Sequence, residues 1–146
     1  MNDEQRNKVN VASERFSKGL YCSQALLSAY CADLGLDEKS ALKISCGFGS
    51  GMGRTCQTCG AVTGAYLVIG LKHGSTSPGD TEAVERTFSL IQEFDKRFKE
   101  KHGSVNCRDL LDIDLRYGDQ TVAGERVRAV CPQLVKDAAE ILGTIL

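Results

Sequence analysis

The sequence is short of four things: net charge, long apolar runs, proline and internal repetition. Each shortage removes a class of protein. The formal net charge of −1, with acidic and basic residues spread along 146 positions, leaves no electrostatic footprint for nucleic acid or an anionic membrane surface. No stretch reaches the roughly 18 apolar residues that a membrane span needs, which argues against membrane insertion. The opening residues, Met1-Asn2-Asp3-Glu4-Gln5-Arg6, are polar and charged, unlike the apolar region of a signal peptide. A cytoplasmic protein is therefore expected. Only Pro78 and Pro132 interrupt the chain, and no repeat or low-complexity tract breaks it into units. Residues 1–146 are read as one domain, whose apolar fraction of 42% is enough to close one core.

What the sequence does hold is cysteine. Seven cysteines are many for this length, and the odd count rules out complete internal pairing. The cytoplasm keeps thiols reduced, so dense cysteine there points to metal binding or redox chemistry rather than to a structural disulfide framework.

The apolar pattern is helical nearly throughout. Val9, Ala12 and Phe16 mark one side of a helix from Asp3 to Lys18, and Gly19 is placed to end it. Ala25, Leu26, Ala29 and Tyr30 recur at spacings of three and four in a second helix, from about Cys22 to Leu34. Asp37 caps a third, from Glu38 to about Cys46. Gly47, Gly49, Gly51 and Gly53 then alternate with other residues, and four glycines at up to ~1 kcal/mol each forbid a helix interior, so a loop is expected. A buried helix should follow from Cys59 to Leu71. The longest runs from Asp80 or Thr81 to about His102, a short piece starts near Cys107, and a final helix carries Val127, Val130, Leu134, Ala138 and Ile141 on one face. No segment alternates with a period of two. The fold class expected is all-α, a single-domain bundle of about five or six helices.

On this map Cys22, Cys59, Cys107 and Cys131 fall at or close to predicted helix starts. Unpaired N–H groups and the partial positive charge of a helix N-terminus favour an anion and lower a thiol pKa, so each of the four is a candidate thiolate. Several such thiolates converging on one cation or cluster would have their charge offset by the backbone dipoles. Cys31, on the apolar face of the second helix, reads as a core residue. Cys46, at a helix end, reads equally well either way.

Cys56-Gln57-Thr58-Cys59 is a C-x-x-C, which serves either as a dithiol redox centre or as half of a tetrathiolate metal site. A glycine loop leads into it where a thioredoxin-like fold would have a strand. Gly60 follows where a c-type haem site would have histidine, and no second C-x-x-C completes a zinc ribbon. The glycine loop is not a phosphate-binding loop. Arg54 is a candidate to stabilise a thiolate, and His73 and His102 sit at predicted helix ends where a protonated imidazole is favoured without any metal. Neither paired carboxylates nor a Ser-His-Asp spacing stands out.

Cys22 in Tyr21-Cys22-Ser23-Gln24-Ala25, then Gly51-Met52-Gly53, Cys59-Gly60-Ala61-Val62-Thr63-Gly64, Cys107 and Cys131-Pro132 resemble the redox-active proteins named for their C…GCAxxG…C…C pattern. The resemblance spans nearly the whole chain in order and spacing. Here the central motif reads Cys-Gly-Ala-x-x-Gly, and Cys31, Cys46 and Cys56 lie outside the pattern. The resemblance implies a helical redox protein of about this length with Cys22, Cys59, Cys107 and Cys131 as its pattern cysteines. It also implies kinship with the non-haem part of split-Soret cytochromes, where an iron–sulfur cluster has been considered. Lacking Cys-x-x-Cys-His, this chain would carry no such haem.

Three functions compete. In the first, Cys22, Cys59, Cys107 and Cys131 bind an iron–sulfur cluster or another thiophilic metal such as zinc, in an electron-transfer protein. In the second, a metal-free protein cycles between dithiol and disulfide, using Cys59 with Cys56 or another pattern cysteine as its catalytic thiols. In the third, metal or disulfide only holds helices together in a binding module. A redox partner of unknown identity is expected, and a homodimer could complete the site across an interface.

Overall fold

A computed structural model describes every residue from Met1 to Leu146. Seven helices form in order: α1 Asp3–Ser17, α2 Cys22–Tyr30, α3 Glu38–Cys46, α4 Gly60–His73, α5 Thr81–His102, α6 Cys107–Leu111 and α7 Gln120–Ile145. A 3-10 turn over Ala32–Leu34 joins α2 to α3. The expected all-α fold is found. There are no strands, only one isolated antiparallel bridge between Thr58 and Asn106. No helix is long and apolar enough to cross a membrane.

Local chemistry accounts for most boundaries. Asn2 and Gln5 form a reciprocal capping box at the start of α1, the Asn2 side chain accepting from Gln5 N and the Gln5 side chain from Asn2 N. Asp37, Asp80 and Asp119 cap α3, α5 and α7 by accepting from Ser40 N, Ala83 N and Thr121 N. Gly35 and Gly103 end the 3-10 turn and α5 in the left-handed conformation.

The core is built around α2 and α4. Leu26 and Leu27 of α2, Val62 and Ile69 of α4, Phe94 and Phe98 of α5, and Val135 and Leu142 of α7 are fully or almost fully buried. Helix α4 is apolar on nearly every side, as suits a helix enclosed by its neighbours. Its contact with α2 is unusually close. A Cβ added at Gly64 would stand 2.8 Å from Leu26 Cβ and 2.9 Å from Ser23 O, and one at Gly60 would stand 3.2 Å from Cys22 Cβ. The two glycines of Gly60-Ala61-x-x-Gly64 thus form the face that lets α2 lie against α4, and that approach sets Cys22 beside Cys59.

Two sequence expectations are corrected. Cys131 does not begin a helix: α7 starts eleven residues earlier, at Gln120, and runs through Pro132. Asp119 is the capping signal that moves the start, and Pro132 stands on the exposed face, where the Arg128 carbonyl that loses its helical N–H partner can turn to water. The glycine segment is also more ordered than a plain loop. Gly49–Met52 forms one turn, and Ser50, Gly51, Met52, Gly53 and Arg54 all have positive φ, between 55° and 69°. Three of these five carry side chains, a conformation that costs L-residues roughly 1–2 kcal/mol each. Gly51 cannot be otherwise, because a Cβ there would meet Cys107 Cβ at 2.7 Å and Cys56 Cα at 2.8 Å.

Candidate functional site

Four separate elements supply the pattern cysteines. Cys22 is the first residue of α2, Cys59 is the N-cap of α4, Cys107 is the first residue of α6, and Cys131 lies within α7. Residues 56–59 and 105–108 are clamped together by their backbones: Cys59 N donates to Val105 O at 2.7 Å, Cys107 N to Gln57 O at 2.6 Å, and Arg108 N to Cys56 O at 3.3 Å. This pairing places α6 beside the start of α4. All four pattern cysteines line one cavity of about 70 Å³, closed by Phe16, Leu111, Leu115, Val127 and Leu134. That volume is far below the roughly 300–1,000 Å³ of pockets that hold organic ligands. It has room for a few heavy atoms.

Cys56 joins the same cluster from outside the pattern. Its backbone is left-handed, with φ 56°, and its side chain is buried. Its thiol lies 3.5 Å from Ile113 O, to which it donates, and Leu115 N donates to its sulfur at 3.5 Å. The sulfurs interact electrostatically as two pairs, Cys22 with Cys131 and Cys56 with Cys107, with Cys59 close enough to Cys22, Cys107 and Cys131 for their charges to interact. Every cysteine is a free thiol.

The electrostatics overturn the expectation of lowered thiol pKa values at helix starts. Burial pushes the Cys59 thiol up to about 12, although the Ala61 and Val62 N–H groups at the start of α4 pull it down. The hydrogen bond to Cys131, then burial, hold the Cys22 thiol well above its ordinary value. Burial, followed by the neighbouring charge of Cys56, raises Cys107 strongly. At Cys59 desolvation outweighs the N–H groups of the helix terminus. Only Cys131, which is not at a helix start, is lowered, because it accepts the Cys22 hydrogen bond.

The remaining candidates separate clearly. Cys31 is buried in the main core, as its position on α2 predicts. Cys46 is exposed at the end of α3, and Arg54 is exposed too. His73 ends α4, but burial followed by the charges of Arg86 and Lys72 lowers its pKa rather than favouring the cation. His102 ends α5 and bonds through Nε2 to Asp137 at 2.9 Å. Asp137 was not legible as a special residue: it is buried on α7 and also receives Lys101 Nζ at 3.0 Å and Gln133 Nε2 at 2.8 Å.

Residues 20–145 match the model of the family described as "Putative redox-active protein (C_GCAxxG_C_C)". The chain belongs to this family. The matched span contains all four pattern cysteines and the whole of the cavity except Phe16. Neither a curated protein nor a solved structure matches the chain. Family membership supports a redox role, and the four pattern cysteines line one cavity of this chain.

The donor set suits a thiophilic group in its chemistry: four cysteine sulfurs surround one small apolar cavity, and no carboxylate or imidazole lines it. A positive group would also offset the cost of ionising thiols that burial keeps protonated. As the side chains stand, no three of the His, Cys, Asp and Glu groups are arranged to ligate a metal ion. Ligation would therefore require the four thiols to rearrange within the cavity they line.

Proposed function

We propose that this protein is an electron-transfer protein in which Cys22, Cys59, Cys107 and Cys131 share one thiophilic group at the meeting of α2, α4, α6 and α7. The observation that carries this reading is the common cavity: four cysteines far apart in sequence face one space too small for an organic substrate. Pairwise dithiol chemistry alone would not need four elements to converge. An iron–sulfur cluster bound there would supply one-electron chemistry, whereas zinc in the same sulfur set would be redox-inert. The chain's own part is to hold the sulfurs and exclude water. Phe16, Leu111, Leu115, Val127 and Leu134 give the cavity a low-dielectric wall, and the backbone clamp between 56–59 and 105–108 fixes the separation of Cys59 and Cys107. The N–H groups of Ala61 and Val62 point to the Cys59 sulfur and would stabilise its thiolate when ligated.

A second reading, a metal-free dithiol–disulfide protein, is favoured by one specific feature. Cys22 and Cys131 already interact side chain to side chain, with Cys131 lowered and so the better thiolate of the two. Purification without oxygen, followed by a visible spectrum and assay of iron, zinc, acid-labile sulfide and free thiols, separates the readings. Colour with iron and sulfide supports the first. A colourless, metal-free protein that takes up two electrons per dithiol supports the second. Zinc without redox activity would leave only a structural role for the site.

A further inference from the structure

One member of the sulfur cluster, although only 3% exposed, also borders a second cavity. Cys56 lines a separate polar depression of about 310 Å³ together with Thr55, Gln57, Asn106, Arg108, Asp109 and Arg116. This is within the volume range of small-molecule sites, unlike the inner cavity. Arg108 Nη2 and Arg116 Nη2 meet on Asp114, at 2.8 and 2.7 Å, which keeps both guanidiniums beside the depression. Asp109, anchored by Ser104 Oγ at 2.9 Å, places one carboxylate on the same rim. Next to Cys56 lies Cys107, which lines the inner cavity and not the depression. Gly51 touches both residues, and the bonds from Cys107 N to Gln57 O and from Arg108 N to Cys56 O fix the two backbones against each other.

We propose that Cys56 and Cys107 are an exchange pair through which the buried cluster reacts with a small disulfide whose halves carry amino-acid zwitterions. Arg108 and Arg116 receive the carboxylates, and Asp109 with the Gln57 and Asn106 amides receives the ammonium groups. The Cys56 thiolate attacks one sulfur of the bound disulfide, breaking its S–S bond and expelling the first thiolate. The Cys107 thiolate then attacks Cys56 Sγ in the mixed disulfide and expels the second. The substrate is reduced to two thiols by two electrons, the protein is left with a Cys56–Cys107 disulfide, and the two thiol protons pass to the released thiolates. This inference rests on the redox reading of the site and assigns that site a port and a substrate class. It applies to the state in which Cys107 is a free thiol, as it is here, and not ligated to a shared group.

The test uses the full-length chain, reduced and stripped of metal, with cystine and cystamine as probes; cystamine is the same disulfide without carboxylates. Each oxidation rate is divided by the rate of the same probe with mercaptoethanol, and the protein disulfide is mapped by mass spectrometry of its peptides. The expected first product is Cys56–Cys107, formed at least about tenfold faster with cystine on this normalised scale, as charge steering allows. The double change Arg108→Ala with Arg116→Ala should remove that preference. Cys107→Ser should halt the reaction at a mixed disulfide on Cys56. A first product of Cys22–Cys131 or Cys56–Cys59, or equal normalised rates for the two probes, overturns the proposal, and the product map needs no variant to fold. If iron and sulfide load while no Cys56–Cys107 bond forms, the port fails and the proposed function stands.

Discussion

At Cys131, the lowered thiol has a named cause, the hydrogen bond from Cys22, and that makes it testable in isolation. In the reduced, metal-free protein, the pH midpoint for alkylation of Cys131 should lie below the ordinary value of 9.0. Cys22→Ala should move it upwards, as read from the labelled peptide by mass spectrometry. A midpoint indifferent to Cys22 would remove the pair. Cys59 makes the opposite prediction. Its pKa rises from 9.0 unfolded to about 12 folded, so the folded state keeps a proton that the unfolded chain gives up. Stability from this group is fully present below pH 9 and is lost as pH rises towards 12, by about 1.4 kcal/mol per unit. Urea unfolding at several values between pH 8 and 10.5 should show a shallower decline in Cys59→Ala than in the unaltered chain. Equal slopes would mean that the thiol is not desolvated as described.

Among the elements, the contact between α2 and α4 decides whether Cys22 and Cys59 can share a cavity. Gly64→Val would drive a side chain into Leu26 Cβ and Ser23 O, and should destabilise the fold by about 1–3 kcal/mol. Gly70→Ala in the same helix meets open space and should stabilise it by about 0.5–1 kcal/mol. Chemical denaturation of the two variants reads both signs; a neutral Gly64→Val would refute the close-approach account. The helices themselves were legible because their apolar spacings and their caps, Asp37 and Asp80 among them, are local signals. The start of α7 was not, because Cys131-Pro132 imitates a helix start while the actual cap, Asp119, sits twelve residues earlier. The left-handed turn at residues 50–54 was legible only as glycine-rich. Its hand follows from packing of Gly51 on Cys56 and Cys107, a contact between segments some 50 residues apart that no local pattern encodes.

Across the whole molecule, the candidate site was legible as a set of cysteines and illegible as an arrangement. The motif order identified Cys22, Cys59, Cys107 and Cys131, and the C-x-x-C pointed to Cys56. Their pairing, Cys22 with Cys131 and Cys56 with Cys107, depends on which helices cross, and the thiol shifts depend on desolvation that only the closed core supplies. In the proposed reading four elements converge so that four sulfurs hold one group. Its most direct measurement is the iron and acid-labile sulfide retained after oxygen-free purification by the unaltered chain and by single Cys→Ser variants. Loading is expected in the unaltered chain, lost at Cys22, Cys59, Cys107 and Cys131 and kept in Cys31→Ser, which changes only the core. No loading in the unaltered chain, or equal loss at Cys31, would contradict it.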